Sequence, residues 1–61
     1  MTLFRATKAV MPSSERRMLP ASSIVTVLGM KGRNYIVTIL NSAHQVLVDA
    51  GKFDANFVRM Q

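Results

Sequence analysis

The sequence predicts a small all-β domain of antiparallel strands, and three observations carry that expectation. Ile24-Val25-Thr26-Val27-Leu28, Tyr35-Ile36-Val37-Thr38-Ile39-Leu40 and Gln45-Val46-Leu47-Val48-Asp49 are short runs rich in β-branched residues. Between them lie turn formers, Gly29-Met30-Lys31-Gly32-Arg33 and Asn41-Ser42-Ala43-His44. Sixty-one residues allow one domain, 1–61, with a small core.

Taken in order, residues 1–10 mix apolar Leu3, Phe4, Ala6, Ala9 and Val10 with Arg5, Thr7 and Lys8, which is compatible with a first short strand. Residues 11–23 hold both prolines, Pro12 and Pro20, and the serines Ser13, Ser14, Ser22 and Ser23. Proline removes a backbone donor and resists regular pairing, so this segment reads as a long loop. A helical turn within 11–18, ended by Pro20, is the alternative. The three strands then follow in series with short turns, which makes a meander. Ala50-Gly51 breaks the third, and a tail from Phe53 to Met60 carries Phe53, Phe57 and Val58. The strands are apolar on both faces. Either both faces are covered or one awaits a partner.

Composition narrows the function classes. Eight Lys/Arg stand against Glu15, Asp49 and Asp54, for a formal charge of +5. Such a surface attracts polyanions, whether nucleic acid, anionic lipid or an acidic protein face; solubility alone is the plainer reading of the same charge. The hydrophobic share is 49%, so in so small a domain some apolar side chains lie outside, as in a protein contact or self-association. Absence of cysteine excludes disulfides and thiolate metal sites and fits a reducing compartment such as the cytoplasm. No run approaches the roughly 18 apolar residues of a membrane span. The start, Met1-Thr2-Leu3-Phe4-Arg5, lacks the order of a secretory signal.

The segment Gly51-Lys52-Phe53-Asp54-Ala55-Asn56-Phe57-Val58 resembles the ending of an SH3 domain, Gly-x-Phe-Pro-x-Asn-Tyr-Val. The rest of the chain falls into the same order. Phe4 to Ala9 stands for the first strand and Met11 to Met18 for the RT loop. Leu19 to Leu28 leads into the second strand. Gly29 to Asn34 stands for the n-Src loop, Tyr35 to Leu40 for the third strand and Asn41 to Gln45 for the distal turn. The resemblance implies an SH3-like barrel of about five antiparallel strands, with a long RT-type loop and one 3₁₀ turn near the C-terminus. The segment from Val46 to Gly51 is longer than the family's, which leaves the register of the fourth strand open.

The family binds proline-rich helices on an aromatic shelf, and that ligand does not carry over. The first strand reads Arg5-Ala6-Thr7-Lys8-Ala9, without tyrosine. The groove tryptophan falls near Asn34, and the groove proline is Asp54. The acidic RT loop has become Ser14-Glu15-Arg16-Arg17. A weaker likeness runs from Val25 to Arg33, which resembles a KOW motif, a strand followed by Gly and Lys-Gly found in SH3-like barrels of ribosomal and transcription-elongation proteins.

On the SH3 pattern, Arg16 and Arg17 sit on one rim of a groove, with Lys31 and Arg33 on the other. Arg5 and Lys8 add to the same surface. Together they form a candidate basic face for carboxylates or phosphates, against the plainer reading of solvated loop charges. Tyr35 and Phe57 are the aromatics expected near the groove, able to stack on bases or pack on a peptide; Phe53 is expected in the core. His44 has no cysteine or second histidine to share a metal, so neither metal nor cofactor is expected. Asp49 and Asp54 do not form a catalytic pair, and the serines lack a nucleophile's partners. Gly29 to Arg33 lacks the P-loop spacing. The expectation is therefore a non-enzymatic binding module that docks on an acidic protein surface and modulates it. Such a module would suit a host-enzyme modifier of the kind encoded by bacteriophages and mobile elements, though no residue carries that expectation. Binding of DNA or RNA and self-association as a homo-oligomer are the alternatives. A membrane partner is not expected.

Overall fold

The computed structural model describes residues 1–60. It consists of β1 (Phe4–Ala6), β2 (Ile24–Lys31), β3 (Asn34–Ile39), β4 (Gln45–Asp49), α1 (Ala50–Asn56) and β5 (Phe57–Arg59). The strands form one antiparallel sheet in the order β4-β3-β2-β1-β5. β4 and β5 are its two ends, so the sheet is not closed into a barrel. The fold is a small all-β one with a single short helix.

β2 runs to Lys31, further than the sequence pattern suggests, and takes in Gly29 and Met30. Its ladder with β3 steps at Leu28, where Val27 faces Val37 and Gly29 faces Ile36. This bulge absorbs one residue and lets the strand continue. The hairpin turn is only Gly32-Arg33, because Gly32 takes the left-handed conformation a two-residue turn requires, with φ +62°. At the next turn Asn41 does the same, with φ +66°. β3 begins and ends one residue earlier than expected, and β4 spans the expected Gln45–Asp49. Its register is Tyr35 against Val48 and Val37 against Val46.

After β4 the chain forms a seven-residue α-helix where one 3₁₀ turn was expected. The Asp49 carboxylate caps its start by accepting from the Lys52 amide at 3.1 Å. Ala50 and Gly51 therefore open the helix instead of merely breaking a strand. The Phe57 amide donates to the Phe53 carbonyl, and the chain leaves extended as β5. β1 is shorter than the expected 4–9. Beyond Ala6, the amide and hydroxyl of Thr7 both donate to the Asn56 carbonyl, at 2.7 and 3.0 Å, which turns the chain toward the helix end.

Residues 11–18 form no helical turn. The long excursion is a loop pinched at its neck by Val10 and Leu19, which exchange two backbone hydrogen bonds of 2.9 and 2.8 Å. Both residues are buried, as is Pro12.

The core joins Ala6, Val25, Val37, Val46 and Val48 to Val10 and Leu19 of the loop and to Phe53 and Phe57. Phe53 is its centre. Phe57 stacks on it at 4.4 Å, and Phe4 and Tyr35 meet it edge-on at 5.1 and 5.0 Å. These four are all the aromatic residues the chain has. On the other face of the sheet Ile36, Thr38 and Leu47 are half-buried, and the Thr38 hydroxyl is enclosed without a hydrogen-bond partner. That face is thus partly covered by its own neighbours.

Candidate partner-binding surface

The placement of the few carboxylates determines how much positive charge is free. Glu15 is engaged by His44, whose Nε2 lies 2.8 Å from both carboxylate oxygens. Asp49 caps α1. Asp54 is exposed on the helix. Among the described residues the only acid in contact with a basic side chain is Glu15, with His44, so no lysine or arginine is paired with an acid. An unpaired surface cation keeps its field for a partner instead of cancelling it within the fold.

Arg16 and Arg17 lie in the loop that the Glu15–His44 contact holds against the β3–β4 turn. They line an open groove of about 590 Å³ together with Met18, Pro20, Ile39 and His44. The lining sets apolar Met18, Leu19, Pro20 and Ile39 beside the two arginines, with Glu15, Ser42 and His44 completing it. Met18 is exposed although it is a large apolar side chain.

Lys31 and Arg33 are exposed at the hairpin tip, at the opposite end of β3. The length of β3 separates this end from Ile39 by roughly 17 Å. Lys31 shares a smaller groove with Ser14, Ile36, Gln45 and Leu47. The four cations expected to flank a single groove thus form two basic clusters, one at each end of the meander, and the serine-rich part of the loop runs between them.

Arg5 points outward from β1, between Ile24 and Val58 of the neighbouring strands. Lys8 is exposed just beyond β1. Neither lines the groove of Arg16 and Arg17. The two aromatics belong to the interior. Phe57 faces Ala6 across the β1–β5 ladder and is 7% exposed, so it is a core residue and not a groove residue. Tyr35 is half-buried with its ring edge-on to Phe53. Phe53 is in the core, as expected.

The contacts that position the loop have no signature in the sequence. The Ser13 amide donates to the Leu47 carbonyl at 2.7 Å, and the Leu47 amide donates to Ser14 Oγ at 2.9 Å. Ser13 Oγ also donates to Asn34 Oδ1 at 2.8 Å. Short hydroxyl side chains commonly bond nearby backbone, but here they reach residues far along the chain. His44 is solvent-exposed, as its turn position suggests, yet it is tied to the loop. No helix among the described residues is long and apolar enough to cross a membrane. Comparison of the chain with protein-family models, with curated proteins and with solved structures gave no match.

Proposed function

We propose that this chain is a non-enzymatic basic binding module on an SH3-like frame, which docks on an acidic surface of a protein partner and modulates that partner. The element order supports the frame: a short strand, a long loop, a three-stranded meander, a helix and a last strand. The observation that carries the function is the set of unpaired cations, with Arg16 and Arg17 sharing one groove with the apolar side chains of Met18, Leu19, Pro20 and Ile39. Arginine and methionine beside a small apolar patch are what protein interfaces favour. A charge excess meant only for solubility has no need of apolar side chains beside it.

A protein partner is favoured over nucleic acid by the fate of the aromatics. Single-stranded nucleic acid is held by base stacking on exposed rings, and all the rings of this chain pack on or around Phe53.

The test is affinity capture from the native lysate with and without nuclease, using the wild-type chain and the double variant Arg16→Glu/Arg17→Glu. The expected result is a protein that is captured in both conditions by the wild type and lost by the variant, while the variant's circular dichroism is unchanged. Capture that disappears with nuclease contradicts the reading in favour of nucleic acid. Undiminished capture by the variant removes the groove from the account.

A further inference from the structure

β2 has an edge that the fold leaves unpaired. β1 meets β2 only at Val25 and Ile24, whereas β3 accompanies it from Val25 to Lys31. The Ala6 amide donates to the Ser23 carbonyl at 2.8 Å, and on the other side the Leu40 amide donates to the Ile24 carbonyl at 2.8 Å. Antiparallel ladders alternate the direction of these groups along a strand. The backbone groups of Ser23, Val25 and Val27 therefore face β1. The next rung would join Val27 to Thr2, and it is not made. Beyond the bulge the order resets. Lys31 and Asn34 close the two-residue hairpin, so the backbone groups of Met30 also face the open side.

An open edge of this kind templates strand addition, and folds normally blunt it. Here the residues beside it are apolar: Leu28 and Met30 are each 57% exposed. A groove of about 470 Å³ beside this edge is lined by Thr26, Val27 and Leu28 of β2 and by Met1, Thr2, Phe4 and Arg59. Arg59 is its one charged side chain, and Lys31 stands at the far end of the strand.

We infer that this edge takes an extended acidic segment of a partner protein as an added strand. The inference rests on the acidic-partner reading and specifies how that partner is held. Main-chain bonds to Val27 and Met30 would supply affinity, and alternate side chains would supply specificity. One face of the segment packs on Leu28, and its carboxylates meet Arg59 and Lys31. A second copy of this chain fits less well. A two-fold pairing of β2 edges is self-complementary, which would set Lys31 of one copy toward Arg59 of the other, cation against cation.

The experiment is NMR amide hydrogen exchange of the full chain with three synthetic peptides: one alternating valine with glutamate, one alternating valine with lysine, and oligoglutamate. At saturation the valine–glutamate peptide is expected to slow exchange at Val27 and Met30 by at least about tenfold. The lysine peptide is expected to change nothing. Oligoglutamate is expected to bind more weakly, with loss of affinity as salt rises. Met30→Pro removes the outward donor without touching the β2–β3 ladder and is expected to abolish the protection. Should that variant fail to fold, Leu28→Glu serves in its place, with at least about a tenfold loss of affinity expected from like-charge repulsion.

If the acidic peptides bind but Val27 and Met30 exchange as before, the edge is wrong and the acidic-partner reading stands. Failure of both acidic peptides to bind at low salt overturns both. Equal binding of the lysine peptide overturns the charge argument. Protection of these amides in a sedimenting dimer without peptide makes a second copy the occupant and overturns the inference.

Discussion

Three strands of the sheet have a side that no neighbouring strand fills, the end strands β4 and β5 and, past Val25, β2, and the chain treats β4 and β2 in opposite ways. The outer side of β4 is closed by Ser13 and Ser14, which bond both the carbonyl and the amide of Leu47. The open side of β2 past Val25 receives no hydrogen bond from any described residue. The difference originates in the two neighbouring segments. The long loop is fastened at its neck by Val10 and Leu19 and at its far side by Glu15 and His44, so its serines are delivered to β4. β1 is three residues long and departs with β5, where the Met60 amide donates to the Leu3 carbonyl at 2.8 Å. A short strand shared with β5 cannot follow an eight-residue strand to its end. One edge is thus a solved folding problem, and the other is a surface.

Substitutions can break or sharpen this contrast. The largest effect is expected from Phe53→Ala, which empties the centre of the aromatic cluster beneath β1 and β3. Such truncations cost about 3–5 kcal/mol, comparable to what a single core of this size supplies. Thermal unfolding by circular dichroism should show the native transition lost. A cooperative melt close to that of the wild type would mean that the two sides of the sheet do not share one core.

Asp49→Ala removes the cap at the junction of β4 and α1 and is expected to cost about 1 kcal/mol, at most about 2. Denaturant unfolding measures this, and an unchanged midpoint would show that the helix is held by Phe53 alone. Ser14→Ala strips the acceptor from the Leu47 amide. It is expected to cost about 1 kcal/mol and, more tellingly, to speed exchange of that amide. Leu28→Ser on the open edge should change stability by no more than about 0.5 kcal/mol. A larger loss there would mean that Leu28 belongs to the core. A double-mutant cycle on Glu15→Ala and His44→Ala is expected to return a coupling below about 1 kcal/mol, as for other exposed pairs. A larger coupling would make this contact the main anchor of the loop, ahead of the serines.

The parts of this fold legible in the sequence are those set by neighbours along the chain. β4 was readable to its ends because Val46 and Val48 alternate with Leu47 between a polar turn and Asp49. The end of β2 was not, because Gly29 and Gly32 look alike in sequence. Only Gly32 has a positive φ, while Gly29 sits in the ladder with open space beside it. The helix is longer than the one 3₁₀ turn that the SH3 resemblance implies, and Asp49, two residues before Gly51, is its cap. The burial of Phe57 is not legible locally because its environment comes from pairing with Ala6, at the other end of the chain. The same holds for the charges. Their excess is plain in the composition, but their division between the Arg16–Arg17 groove and the Lys31–Arg33 tip depends on contacts of Ser14 and Glu15 with residues 33 and 29 positions away.

The contrast between the edges can be measured on the free chain, by residue-resolved amide exchange at neutral pH. The Leu47 amide, bonded to Ser14, is expected to exchange slowly. The Val27 and Met30 amides, on either side of the β2 bulge and facing its open side, are expected to exchange close to the rate of an open chain. Protection of Val27 and Met30 equal to that of Leu47, in a monomer without partner, would contradict the account, because β2 would then have no edge to offer.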